Sequence, residues 1–173
     1  MPRPRCPCRT PAVAGKAALR LKDAAVDARD GAAWSWAKGA ATTKSELGDP
    51  TADDGFDLCV YDAGTLVLGA TAPAGGVCPT KPCWKARKHG FDYANRKALP
   101  NGLKAITLRE GASGKARITV GGKGVALRMP ALTTLTGPLD VQLQRRTGGT
   151  CFGARYGAPF KKRDAKRLVD KAD

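Results

Sequence analysis

The sequence contains a single histidine, ten aromatic residues among 173, and no run of about 18 apolar residues. Each shortage excludes something. With His89 as the only imidazole, any Ser-His-Asp or Cys-His arrangement would have to run through that one residue, and no repeated-histidine metal motif exists. His89 lies between Lys88 and Gly90, in a turn-like setting that suits a surface position. Without a long apolar run, no membrane-spanning helix is expected. The opening MPRPRCPCRTPAVAGK has the basic residues of a signal peptide but lacks its apolar segment of roughly 7 to 15 residues. The expectation is therefore a module carried inside a longer exported chain, or one whose export signal is missing here.

Acidic residues are also scarce, but only in one part of the chain. Residues 1 to 62 hold nine basic and nine acidic side chains, whereas residues 63 to 173 hold twenty-one and six, so the net charge of +15 arises entirely in the later part. A basic surface of this kind keeps a domain soluble, and it also attracts polyanions such as anionic polysaccharide, nucleic acid or a negatively charged cell surface. No zinc-finger spacing, RRM stacking motif or long basic helix accompanies the charge, which leaves nucleic acid the weaker of these partners.

What is present is alternation. Leu19 and Leu21 share one face of ALRLK, Trp34 and Trp36 one face of AAWSWAK, and the same period of two places Ile106 and Leu108, Ile118 and Val120, and Leu139, Val141 and Leu143 inward. VALRM reads the same way, with Val125, Leu127 and Met129 inward. LCVYD and TLVLGAT flank Ala63-Gly64, a short hairpin turn. Glycine-rich turns about every ten residues complete the rhythm of an all-β antiparallel sandwich, Ig-like or jelly-roll-like, over residues 17–160. A disordered basic tail (1–16) and a charged C-terminal tail (161–173) are expected around it. In a chain so poor in aromatics, Trp34 and Trp36 are assigned to the core rather than to a sugar-stacking platform.

Cys78 and Cys83, in VCPTKPCW, are separated by a stiff segment containing Pro79 and Pro82, and are expected to close a small disulfide that fixes Trp84 as it enters its strand. Cys59, inside an apolar strand, is expected to pair with Cys151 at the start of another. A rival scheme joins Cys59 to Cys78 and Cys83 to Cys151. Cys6 and Cys8 are expected to play no part in the fold, although a four-sulfur zinc site with Cys78 and Cys83 has suitable paired spacing.

Other chemistry is weakly supported. Asp49, Asp53, Asp54 and Asp57 could form a loose calcium site, but Asp54 stands where an EF-hand loop needs glycine. GASGKA (111–116) resembles a phosphate loop but has Ala116 where Ser or Thr must hold magnesium. No cofactor and no catalytic residue is assigned, and the chain is read as a non-enzyme. The polyanion-binding candidates are Lys115, Arg117, Arg145 and Arg155, basic residues at or near strands where they would line a sheet face.

The ordered segments WSWAKGAATTK, GDP, LCVYD, ATAPAGG-x-C, KPCW, GFDY, GKA, GKG, LTGP, VQLQ, TCF and APFKK resemble a recurrent module of large exported bacterial proteins, found near their C-terminal ends or as a stand-alone unit. The resemblance spans about Ala17 to the C-terminus. It implies secretion and a β-rich accessory role without an established activity, and the family's cysteines correspond to Cys59, Cys78, Cys83 and Cys151. The functional expectation is a non-catalytic accessory or surface-adhesion module of the extracellular space or cell envelope, monomeric or part of a longer chain. The alternative is a polyanion-binding domain that works through a basic sheet face.

Overall fold

The computed structural model describes residues 3–4 and 7–173. Twelve strands are β1 (Ala17–Lys22), β2 (Gly31–Gly39), β3 (Phe56–Asp62), β4 (Thr65–Ala72), β5 (Trp84–Arg87), β6 (Gly90–Ala94), β7 (Leu103–Arg109), β8 (Ala116–Lys123), β9 (Leu139–Arg145), β10 (Cys151–Tyr156), β11 (Lys162–Arg163) and β12 (Arg167–Lys171). They form two antiparallel sheets, an eight-stranded one in the order β11-β12-β1-β2-β8-β7-β6-β5 and a four-stranded one in the order β10-β9-β3-β4. The two sheets share one core, as expected for a sandwich.

The alternation explains the packing. Leu19, Leu21, Trp34, Trp36, Ile118, Val120, Ile106 and Leu108 face inward from the large sheet and meet Phe56, Leu58, Val60, Leu143 and Phe152 from the small one. The indoles also carry polar links across the sandwich. Trp34 Nε1 donates to Tyr156 Oη at 2.9 Å and Trp36 Nε1 to the Gly153 carbonyl at 3.2 Å, so neither buried N–H is left without an acceptor. Ala63 and Gly64 close the β3–β4 hairpin with φ of 46° and 87°, the left-handed pair that a two-residue turn of type I′ requires.

Several expectations are corrected. Cys151 is bonded to Cys8, not to Cys59, with Cα atoms 4.8 Å apart. Cys59 is buried in β3 and belongs to neither of the two described disulfides; the rival scheme fails for the same reason. The physical cause lies in the tail. Arg9 N donates to the Cys151 carbonyl (2.9 Å) and Gly153 N to the Arg9 carbonyl (2.8 Å), so the chain before β1 runs alongside β10 and brings Cys8 to its first residue. The residues from Pro7 on are thus part of the fold, while Cys6 lies outside the described residues. A four-sulfur zinc site is excluded because Cys8, Cys78 and Cys83 are all oxidised.

The C-terminal stretch is not a tail. Leu168 and Asp170 are buried, and β12 pairs with β1 over Ala18–Lys171 to Lys22–Arg167, with β11 outside it. Abundant lysine and arginine hid a two-residue alternation there. Finally, VALRM is not a strand. Val125–Leu127 forms a single 3-10 turn that buries Leu127 and leaves Val125 exposed, because Gly124 and Arg128 take left-handed conformations (φ 83° and 48°) at its two ends.

The expected Cys78–Cys83 disulfide is present, with Cα atoms 4.9 Å apart. Cys83 N donates to the Gly76 carbonyl and Cys78 N to the Lys81 carbonyl, closing a compact loop. Directly after it, Trp84 packs against Phe56 and Tyr93 (ring centroids 5.8 and 5.0 Å away) and its indole donates to the Pro73 carbonyl at 2.7 Å.

Candidate polyanion-binding face

The outer face of the eight-stranded sheet follows from the same alternation that builds the core. Residues between the buried ones point away from the sandwich, and on β1, β5, β8, β11 and β12 these are largely basic and exposed. The middle of the face is made of small side chains. Ala18, Ser35, Thr119 and Thr107 lie in one register row, and Ala33, Gly121 and Ala105 in the next. No aromatic ring lies on this face, since Trp34, Trp36, Trp84, Phe91 and Tyr93 all turn inward.

Charge collects at the two ends of the strands. At one end, Arg117 lies opposite Arg109, with Lys115 just before β8 and Arg87 two strands away. At the other, Lys123, Gly31, Lys22 and Arg167 form a single register row across β8, β2, β1 and β12, with Arg20 in the adjacent row. Lys123 is six positions after Arg117 on β8, which puts the two ends about 20 Å apart.

The ends differ in how far their charge is already neutralised. Arg109 and Arg87 both bind Asp92, at 2.6 Å each. Burial pushes the Asp92 carboxyl up, but the hydrogen bonds and charges of these two arginines outweigh it and hold the group below its ordinary range. Nearby, His89 Nδ1 lies 3.0 Å from Glu110, whose carboxyl is lowered first by that hydrogen bond and then by the Lys44 N–H. Among the described residues, Arg20, Lys22, Lys123 and Arg167 have no acidic side chain within ion-pair distance.

The four basic residues singled out from the sequence do not share a face. Lys115 and Arg117 lie on the outer face of the large sheet, at its partly neutralised end. Arg145 belongs to β9 and binds buried Asp54, with its Nη2 2.9 Å from the carboxylate, a contact that closes the core margin. Arg155, on the outer side of β10, lies 3.5 Å from Asp140. Strand pairing separates them, because β8 and β9 belong to different sheets. The acidic loop is likewise occupied. Asp49 caps Thr51 N, Asp54 binds Arg145, Asp57 accepts from Thr71 at 2.7 Å, and the exposed Asp53 is held by its own N–H on the Asp49 carbonyl.

Sequence reasoning passed over Arg20, Lys22, Lys123 and Arg167. The signal for two of them was in plain view: if Leu19 and Leu21 point inward, Arg20 and Lys22 must point out. Their convergence with Lys123 and Arg167 depends on the pairing of β1 with both β2 and β12, which alternation alone does not specify.

The site and fold together define a disulfide-linked two-sheet β protein with a basic, aromatic-free outer face. Comparison with protein-family models, curated proteins and solved structures gives no match for the chain. Among the described residues, no helix is long and apolar enough to cross a membrane. The two disulfides point to an oxidising, extracytoplasmic environment.

Proposed function

We propose that this protein is a non-catalytic accessory module that attaches to an anionic polysaccharide of a cell surface or envelope through the outer face of its large sheet. The observation that carries the reading is the composition of that face. Ten outward side chains on β1, β5, β7, β8, β11 and β12 are Lys or Arg, and Asp92 on β6 is the lone acid. Such a surface gains Coulomb attraction from every anionic group laid across it, and the gain fades as salt screens it. The disulfides support an extracytoplasmic setting, where anionic polymers are polysaccharides of the surface more often than nucleic acid. The resemblance to exported accessory modules agrees with attachment rather than turnover.

Nucleic acid fits the face less well. A protein that holds single strands offers aromatic rings for base stacking, and one that reads duplexes places a helix, ribbon or arm in a groove. The described part of this face is built of paired strands and carries no aromatic ring.

The test is retention on a sulfated polysaccharide such as heparin or dextran sulfate, across a salt series. Binding that persists at about 0.15 M salt, where the screening length is about 8 Å, supports the module. Release well below that concentration leaves the charge as a solubility device and ends the proposal.

A further inference from the structure

The fully basic end of the face is not uniform. Gly31 and Ala33, with the Gly122 backbone beside them, leave a shallow depression of about 610 Å³, walled by Arg20, Lys22, Arg167 and Val169. Its shape comes from missing side chains. A Cβ at Gly31 would approach the Lys22 Cβ at 4.0 Å, and Gly121, next to the depression, points its missing side chain into open space. Three cations therefore surround ground floored by glycine and the small Ala33 side chain; among the described residues none of them has an acidic side chain within ion-pair distance, while Asp164, whose carboxyl is lowered first by the Lys166 N–H, also feels the charge of Arg167.

Register adds a spacing. Lys22 and Arg167 are on adjacent strands and Arg20 is two residues from Lys22 on the same face, so the three form one cluster. Lys123 lies two strands from Lys22 on one side, and Lys162, opposite Val169, lies two strands from Arg20 on the other. At about 4.8 Å per strand, each step is about 10 Å. The face thus presents three cationic stations in a line across the strands: Lys123, the Arg20–Lys22–Arg167 cluster, and Lys162, the last of which shares its charge with Asp164 3.9 Å away.

Resting on the proposed function, we infer that the depression is an anion subsite for a sulfate or phosphate ester on a linear polysaccharide that runs across the strands from β8 to β11. A tetrahedral oxyanion can take hydrogen bonds from two guanidinium groups and an ammonium at once, the donor set that Arg20, Arg167 and Lys22 provide. The outer stations would meet the anionic groups of neighbouring repeats. Steps of about 10 Å approximate the length of a disaccharide unit and are much wider than the roughly 3.4 Å of helix axis per phosphate along one strand of a duplex. The spacing thus favours a polymer with about one strong anion per disaccharide over nucleic acid.

The experiment compares the full chain with three variants, each checked for an unchanged thermal transition. One carries Arg20→Gln, Lys22→Gln and Arg167→Gln; a second carries Gly121→Glu, which places a carboxylate beside the depression where the added side chain meets open space. The third carries Lys115→Gln and Arg117→Gln at the opposite, partly neutralised end of the same face. The probes are size-defined chondroitin sulfate oligosaccharides and a duplex oligonucleotide. The expected result is a loss of affinity on the order of tenfold for the triple variant and for Gly121→Glu at about 0.15 M salt, and a smaller loss, about two- to threefold, for the variant at the opposite end, where Asp92 and Glu110 already engage neighbouring basic groups. The slope of log K against log salt should also flatten by up to about three for the triple variant. Oligosaccharide binding that survives both subsite variants but is lost in the Lys115→Gln, Arg117→Gln variant overturns the subsite and leaves the polyanion module standing. An unaltered chain that binds no oligosaccharide sinks both. Tighter binding of the duplex than of an oligosaccharide with an equal number of charges overturns the polysaccharide assignment.

Discussion

Arg9 shows how much one side chain near the start of the chain can tie together. Its guanidinium forms a two-pronged pair with Glu46, in the single 3-10 turn Ser45–Leu47, and also donates to the Ala41 carbonyl at 2.6 Å. Glu46 in turn accepts from the backbone N–H of Thr43 at 2.7 Å. The hydrogen bond from Arg9, followed by that from Thr43, lowers the Glu46 carboxyl from 4.5 to about 2. A carboxylate lowered in the folded state stabilises the fold fully above its unfolded value of 4.5, and that contribution is lost as pH falls toward 2. Glu46→Gln should therefore narrow the loss of stability between pH 4.5 and 2, measured as urea midpoints at several pH values. Because the Glu46 side chain is 37% exposed, solvent screening keeps the difference at about 1 kcal/mol or less. Identical pH profiles for the two proteins would show that the pair contributes nothing to folding.

At the scale of elements, the strands that alternate cleanly were the legible ones. β1, β2, β7, β8 and β9 announce themselves through paired leucines, tryptophans and β-branched residues. β12 did not, because Arg167, Lys171 and their neighbours present a charged run in which only Leu168 and Asp170 turn inward. The Val125–Leu127 turn was read as a strand because period two cannot register the left-handed Gly124 and Arg128 that bend it. The candidate site was half visible: the outward direction of Arg20 and Lys22 follows from their leucine neighbours, but the order of strands that brings Lys123 and Arg167 beside them does not. Cysteine pairing was the least legible, since the bond from Cys8 depends on where a tail with no periodicity lies down. The two disulfides should differ in what they contribute. By the chain-entropy relation, the sequence separation of 143 between Cys8 and Cys151 corresponds to about 5 kcal/mol, and the separation of five between Cys78 and Cys83 to about 2 kcal/mol. In chemical denaturation, Cys8→Ser with Cys151→Ser is expected to cost about 2 to 5 kcal/mol, and Cys78→Ser with Cys83→Ser no more than about 2. Equal losses, or the reverse order, would count against constraint of the unfolded chain as their main effect.

The whole molecule carries a net charge of +15, so it should respond to polyanions as a body. A ligand that binds only the folded state stabilises it by about 2.7 kcal/mol at a hundredfold excess over its dissociation constant. For a domain of this size that corresponds to a rise in Tm of about 5 to 10 °C. A sulfated oligosaccharide should produce such a rise in differential scanning fluorimetry at low salt and progressively less as salt is added; a rise that ignores salt would point to a non-electrostatic contact. The proposed attachment would also put the chain under tension, and the Cys8–Cys151 bond decides where that tension goes. Force entering before Cys8 passes straight to Cys151, so β1 to β9 are bypassed and only the segment from β10 onward can be drawn out. That segment extends by no more than about 75 Å, against about 600 Å for a chain of this length without the bond. The first bonds to open would be those of Asp173 with Arg155 and Gly157 and then Ala172 on Ala17, after which β12, carrying Arg167, would unzip from β1 while β8 stays paired in the sheet. A bond that reads as a thermodynamic brace is, under load, a short-circuit that keeps most of the domain slack.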